Sequence, residues 1–270
     1  MAVSSGYPQR IVCLTEETTE TLYLLGEDWR IVGISGFTVR PPRARREKPR
    51  VSAFISARTA RIIELAPDLV LGFSDLQADI AAELIRAGLN VHVFNQRSVE
   101  EILAMIRTLG GMIGAQAKTA ALLGELESGL AAVRARAAGL ARRPRVYFEE
   151  WDEPLISGIG WVAELIRLAG GEECFPELAG KALGRERIIA DPLEVVRRSP
   201  DIVLGSWCGK KFRPEEVAAR PGWHEVPAVR CGFVREIKSA LILQPGPAAL
   251  TDGVHAIEAV IAEWAAAAPA

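Results

Sequence analysis

Ile62-Ile63-Glu64-Leu65-Ala66-Pro67-Asp68-Leu69-Val70-Leu71-Gly72 and Val195-Val196-Arg197-Arg198-Ser199-Pro200-Asp201-Ile202-Val203-Leu204-Gly205 carry one pattern twice in a single chain. Each stretch starts as a helix end, stops at a proline that cannot continue the helix, and resumes as a short apolar run typical of a buried strand. Two further correspondences follow in the same order. Arg10-Ile11-Val12-Cys13-Leu14 parallels Arg145-Val146-Tyr147-Phe148-Glu149, and the helix pattern from Glu20 to Gly26 parallels that from Glu164 to Gly170. Each of those helices closes on a glycine, the residue that tolerates a left-handed cap. Correspondences kept in order point to duplication, or to two lobes of like topology.

Strand patterns fall near residues 10–14, 31–34, 69–72, 91–94, 145–149, 202–205 and 233–237. Helix starts lie between them. Ser98 with Glu101 forms a capping box, and Asp191-Pro192 with Glu194 places a cap, a first-turn proline and an acid in sequence. Strands alternating with helices predict an α/β fold of two Rossmann-like lobes with parallel sheets.

Between the halves, residues 113–141 contain no proline. Leu123, Leu126, Leu130, Val133, Ala137 and Leu140 form a seam at alternating spacings of three and four. Gly124, Gly129 and Gly139 each cost about 1 kcal/mol against alanine, so packing has to hold this helix. It reads as a rigid brace of about 40 Å, in preference to a coiled-coil dimerisation helix. The predicted organisation is an N-terminal lobe over 1–112, a backbone helix over 113–141 and a C-terminal lobe over 142–270.

With 32 basic and 34 acidic residues the net charge is −2, which argues against a phosphate-binding face for nucleic acid. No stretch approaches the apolar length of a membrane span, and the residues before Ile11 lack the apolar core of a secretory leader. The expected location is therefore cytoplasmic as written, and periplasmic if a leader has been trimmed. Cys13, Cys174, Cys208 and Cys231 are scattered, and read as mostly buried thiols. His92, His224 and His255 show no metal-ligand spacing, and neither a nucleophile elbow nor a phosphate loop occurs. No catalytic or metal-ligating residues are expected, and the chain does not read as an enzyme.

In open parallel sheets ligands gather beyond the carboxyl ends of the strands. Phe73 and Trp207 end the two echoing strands, and are expected to face each other across a cleft between the lobes. Phe54 and Trp151 add aromatics suited to a large flat ligand, and Phe37 and Glu150 complete the candidate ligand-binding set. The start of the helix after Ser157-Gly158-Ile159-Gly160 offers free amides to an anion, and Arg40 in its basic loop could reach an acidic ligand.

Taken in order, Arg10-Ile11-Val12-x-Leu14 with Thr19-Glu20, Ile31-Val32-Gly33-Ile34-Ser35, Leu65-x-Pro67-Asp68-Leu69-Val70-Leu71, Ala169-Gly170-Gly171 and Arg220-Pro221-Gly222-Trp223-x-x-Val226-Pro227 resemble the helical-backbone (class III) substrate-binding proteins of ABC importers. The likeness runs from about residue 10 to 265, and is nearest to the cobalamin binders. It implies two lobes on a stiff helix and capture of a corrinoid or related metal chelate without a covalent cofactor. It also implies a monomer that docks on an ABC permease dimer through surface carboxylates. Its pocket aromatics map to Phe54, Phe73 and Trp151, with Val93 where the family has a further aromatic. Its docking acids map to Asp79 and to Glu215 or Glu216. Ferric-siderophore or haem binding is the nearer alternative. A cytoplasmic enzyme or chaperone for a tetrapyrrole or metal complex is the more distant one.

Overall fold

The structure, a computed structural model, describes residues 6–267. Strands β1 (Ile11–Cys13), β2 (Ile31–Ser35), β3 (Arg50–Ser52), β4 (Leu69–Phe73) and β5 (Val91–Phe94) form one sheet in the order β3-β2-β1-β4-β5. Every pairing in it is parallel. A second sheet holds β6 (Arg145–Asp152), β7 (Leu155–Ser157), β8 (Glu172–Glu173), β9 (Ile202–Gly205) and β10 (Val234–Glu236) in the order β10-β9-β6-β7, with β8 also on β6. The chain divides into two compact units, residues 6–96 with 100–125 and residues 97–99 with 126–267.

The echo seen in the sequence is structural. Helix Thr59–Glu64 leads into β4, and helix Leu193–Arg198 leads into β9. Before each proline the chain turns through a non-glycine residue of positive φ, Ala66 at 44° and Ser199 at 47°. The aspartate after each proline does the same work. Asp68 accepts the Arg10 N–H at 2.9 Å, and Asp201 accepts the Arg145 N–H at 2.9 Å. In return the Asp68 and Asp201 amides donate to the Arg10 and Arg145 carbonyls. These paired bonds start β4 alongside β1 and β9 alongside β6, and so set both registers. Helices Glu16–Leu24 and Gly160–Leu168 likewise close on Gly26 and Gly170, both at positive φ.

Three features depart from the sequence reading. The second sheet is not wholly parallel, because β7 folds back on β6 as an antiparallel hairpin with a bulge between Glu149 and Trp151. Glu150, Trp151 and Asp152 therefore belong to a strand, where a loop after residue 149 was expected. The short strands β3, β7 and β8 were not foreseen; two or three residues give no measurable alternation.

The helix expected over residues 113–141 is also shorter. It spans Gln116–Ala137, about 33 Å at 1.5 Å per residue. A separate helix, Val99–Met112, precedes it, and the break falls at Gly114, which sits at φ 73° with the Tyr7 ring against it. A side chain there would meet that ring at 2.6 Å, so apolar periodicity on both sides could not carry the helix through. Leu123, Leu126, Leu130, Val133 and Ala137 are all buried, as the seam required. Cys13 is buried and Cys174 half-buried, but Cys208 and Cys231 reach the surface, against the expectation of mostly buried thiols. Among the described residues no helix is long and apolar enough to cross a membrane.

Candidate functional site

In the first unit the parallel strands bring five carboxyl ends to one edge. The side chains leaving that edge are unusually apolar and unusually exposed. Ile55 beyond β3 is 73% exposed, Phe37 beyond β2 is 57%, and Leu76 beyond β4 is 51%. Val93 on β5 is also exposed. These exposed apolar side chains share the side of the sheet to which the parallel strands bring their carboxyl ends.

The backbone beneath them is fixed by Gln77, which is fully buried. Its Oε1 accepts the Phe73 N–H at 2.9 Å, and its Nε2 donates to the Phe54 carbonyl at 2.8 Å. One amide thus ties the β4 end to the loop after β3. Ser74, at φ 61°, turns the chain and accepts the Leu76 N–H. Gln77→Met keeps the length but leaves two buried backbone groups without their partner. It should lower unfolding free energy by about 1–3 kcal/mol in urea titration. An unchanged midpoint would mean that the rim does not depend on this amide.

Helix Glu16–Leu24 starts on the same edge, and its first turn is acidic and buried. Glu16 and Glu17 are 6% and 1% exposed, and Thr15 Oγ1 donates to Glu17 Oε1 at 2.6 Å. Burial, reinforced by the neighbouring Glu16, pushes the Glu17 carboxyl up to about 8, and burial also raises Glu16. Beneath them burial pushes the Cys13 thiol up to about 12, so it stays protonated. Arg40 does not stand open to a ligand, because its Nε donates to Glu20 at 2.8 Å.

In the second unit the β6 acids are organised by arginines. Glu149 is fully buried. It accepts two bonds from Arg220 at 2.6 and 2.8 Å, one from Trp207 Nε1 at 3.0 Å and one from the Tyr147 hydroxyl at 3.1 Å. Glu150 takes a two-point contact from the buried Arg187 at 2.6 and 2.9 Å, and Arg187 also holds the Ser157 carbonyl. Lys210 pairs with Asp152, and its ammonium lies 4.7 Å from the Trp207 ring and 5.9 Å from the Trp151 ring. The two indoles therefore flank one ammonium.

Their environments differ. Trp151 is half-buried, with its indole N–H on the Glu153 carbonyl. Trp207 is 3% exposed and packs edge-to-face on Phe212 at 4.8 Å. Phe212 in turn fills the space above Gly205, where a Cβ would meet its ring at 1.7 Å. Phe73 is likewise 5% exposed, inside β4 rather than beyond it. Phe73 and Trp207 are thus buried supports of their own sheets and not exposed strand-end aromatics. Phe54 is half-buried.

At the helix start Gly160 packs closely on the backbone, because a Cβ there would lie 2.5 Å from the Arg97 carbonyl. His92 packs edge-on against Phe94, and burial lowers its pKa. Asp79, Glu215 and Glu216 are exposed on the first turns of helices Ala78–Arg86 and Pro214–Ala218, with Glu216 3.4 Å from Arg213. Among the described residues no group of His, Cys, Asp and Glu is arranged to hold a metal ion.

Sequence reasoning did not reach Gln77, Arg187, Lys210, Arg220, Ile55 or Leu76. The partners of Arg187 and Arg220 lie 37 and 71 residues away, and no local pattern announces such pairs. Ile55 was missed for a related reason, since it lies beyond β3, a strand too short to show in the sequence.

The sequence profile described as "Periplasmic binding protein" matches residues 11–241. An uncharacterized ABC transporter substrate-binding lipoprotein, YvrC of Bacillus subtilis (strain 168), is 24% identical over 257 residues, covering 92% of this chain and 78% of the relative. A vitamin B12-binding protein of Vibrio parahaemolyticus is 23% identical over 254 residues, covering 93% and 88%. Among solved structures, the periplasmic heme-binding protein RhuT from Roseiflexus sp. RS-1 superposes with a TM-score of 0.78 at 24% identity, covering 94% of this chain and 99% of that one.

Proposed function

Because the chain belongs to the periplasmic binding protein family, we propose that it is the substrate-binding component of an ABC importer and that its ligand is a corrinoid. The observation that carries this reading is the exposed apolar edge of Phe37, Ile55, Leu76 and Val93. Such a surface suits a broad macrocycle, whose burial against it removes apolar area from water at about 25 cal/mol per Å². On the second unit, Trp151 and Glu150 at the end of β6 present a half-exposed ring and a carboxylate held by Arg187. The B12-binding relative supports the same ligand class.

Haem is the competing ligand, favoured by the likeness to a heme-binding protein. Haem iron takes a His, Cys, Met or Tyr axial ligand. None of Phe37, Ile55, Leu76 or Val93 can serve, whereas a cobalamin carries its own lower nitrogen ligand. The rim therefore supports the corrinoid. Asp79, Glu215 and Glu216 are the carboxylates proposed to meet the permease, since exposed acids recruit a basic partner surface.

The test is spectroscopic. Purified protein is titrated in turn with cyanocobalamin, haemin and a ferric siderophore, and each absorption spectrum is followed to saturation. Saturable binding of cyanocobalamin is expected. Phe37→Ser and Ile55→Ser, both at exposed sites, should each weaken it about tenfold while leaving the melting temperature in place. Saturation by haemin alone, or wild-type affinity in both variants, would overturn the corrinoid reading.

A further inference from the structure

A separate cavity of about 440 Å³ lies wholly within the second unit, on elements that the proposed ligand rim does not use. Arg134, Arg143 and Arg167 all line it. They come from three places in the chain: the last turn of helix Gln116–Ala137, the segment before β6, and the last turn of helix Gly160–Leu168. Val99, Ala137, Ala138 and Leu168 give it an apolar floor.

The arginines around this cavity differ from their neighbours. Arg136 is committed to Glu258 at 2.5 Å, Arg142 to Asp201 at 3.3 Å, and Arg198 to Glu177 and Glu194 at 2.8 and 2.9 Å. Among the described residues Arg134, Arg143 and Arg167 make no hydrogen bond or ion pair; Arg167 acts on Glu173 only through its charge. The one carboxylate in the lining, Glu164, is already occupied, because its Oε2 accepts the Val99 N–H at 2.7 Å. The two helix C-termini add roughly one negative charge between them. The cavity nevertheless stays positive overall. Three guanidinium charges outnumber the Glu164 carboxylate and the helix ends around them, and an anion that bridges the arginines offsets the excess.

We infer that this cavity binds a phosphate-bearing group, held by Arg134, Arg143 and Arg167. Guanidinium forks match phosphate oxygens in pairs, which a single lysine charge does not. The volume exceeds that of a bare phosphate and lies in the range of small-molecule sites, so room remains for an organic moiety on the apolar floor. A soluble phosphorylated compound and an anionic phospholipid headgroup share this chemistry.

The experiment uses the full chain and two probes. Pyrophosphate is titrated by calorimetry at about 0.15 M and about 0.5 M salt, because a contact made of exposed charges is screened. Vesicles of phosphatidylglycerol, with phosphatidylcholine as the control, are tested by co-sedimentation. Pyrophosphate should bind with a Kd below about 1 mM, more weakly at the higher salt. The triple variant Arg134→Ser, Arg143→Ser, Arg167→Ser should lose at least about tenfold, while Arg45→Ser with Arg46→Ser in the first unit should bind like wild type.

If the triple variant melts early, Arg143→Ser alone, outside any helix, should still weaken binding about threefold. Retention on phosphatidylglycerol that is abolished in the triple variant would assign the site to a headgroup. Pyrophosphate binding without vesicle retention would assign it to a soluble phosphate. No binding of either probe, or undiminished binding in the triple variant, overturns the inference.

Discussion

Trp207→Ala should lower the unfolding free energy by about 3–5 kcal/mol, the range for deleting a large buried aromatic. Trp151→Ala, at the half-exposed neighbour, should cost about 1 kcal/mol or less. Three contacts account for the difference. Trp207 donates its indole N–H to the buried Glu149, stacks edge-to-face on Phe212, and closes the carboxyl end of β9 with 3% of its surface exposed. Its removal leaves a void against Phe212 and takes one donor from a carboxylate that has no access to water. The remaining contacts from Arg220 and Tyr147 keep Glu149 paired, so the loss stays at the scale of a cavity. Urea unfolding of both variants followed by circular dichroism measures the contrast. Equal midpoints in the two variants would show that Trp207 supports nothing.

This result bears on what each indole does. Read from the sequence, both tryptophans belong to the candidate ligand-binding set. The structure separates them: Trp207 organises the sheet end, and Trp151 is the half-exposed one of the pair. Binding measurements on Trp207→Ala therefore report folding as much as recognition, and Trp151→Ala is the cleaner probe of the corrinoid proposal.

What was legible in the sequence was whatever repeats or alternates. Pro67-Asp68 and Pro200-Asp201 announced equivalent strand entries because a proline stop and an aspartate clamp are local devices, each complete within a few residues. The buried seam from Leu123 to Ala137 was legible for the same reason. The helix break at Gly114 was not, since it depends on the ring of Tyr7, more than a hundred residues away in the chain. The hairpin of β6 and β7 was hidden in the acidic run after Phe148. Four consecutive polar or aromatic residues look like a solvated loop until Arg187, Arg220 and Lys210 arrive from other parts of the chain to pair with them. Half of the candidate site follows that rule. Positions beyond strand ends can be read from the strands, while the charges that neutralise them are set by tertiary pairing.

Stability should fall as pH rises from about 5 to about 8.5, and Glu17 should account for the larger part of the fall in the first unit. Its carboxyl titrates near 8 in the folded chain against an ordinary value of 4.5 when exposed, because burial and the adjacent Glu16 disfavour its charged form. Between those two values the folded state holds a proton that the unfolded state has released. The unfolding free energy then decreases with rising pH at up to about 1.4 kcal/mol per pH unit. The accumulated loss is on the order of 3–5 kcal/mol, and it levels off above the folded value. Thr15 Oγ1 can donate to Glu17 in either protonation state, so the bond itself does not offset this slope.

Glu17→Gln keeps that acceptor and cannot ionise. At pH 5 the variant should match the wild type within about 1 kcal/mol, and at pH 9 it should be more stable by on the order of 3 kcal/mol. Glu173 in the second unit is pushed up to about 7 by its own burial and slopes the same way. The informative quantity is therefore the difference between variant and wild type at each pH, in which Glu173 cancels. Urea titrations at half-unit steps measure it. Parallel curves from pH 5 to pH 9 would mean that Glu17 is ionised throughout, with water or a cation reaching it in solution. A widening gap would place an uncharged carboxylic acid, at neutral pH, on the strand edge that carries the apolar rim.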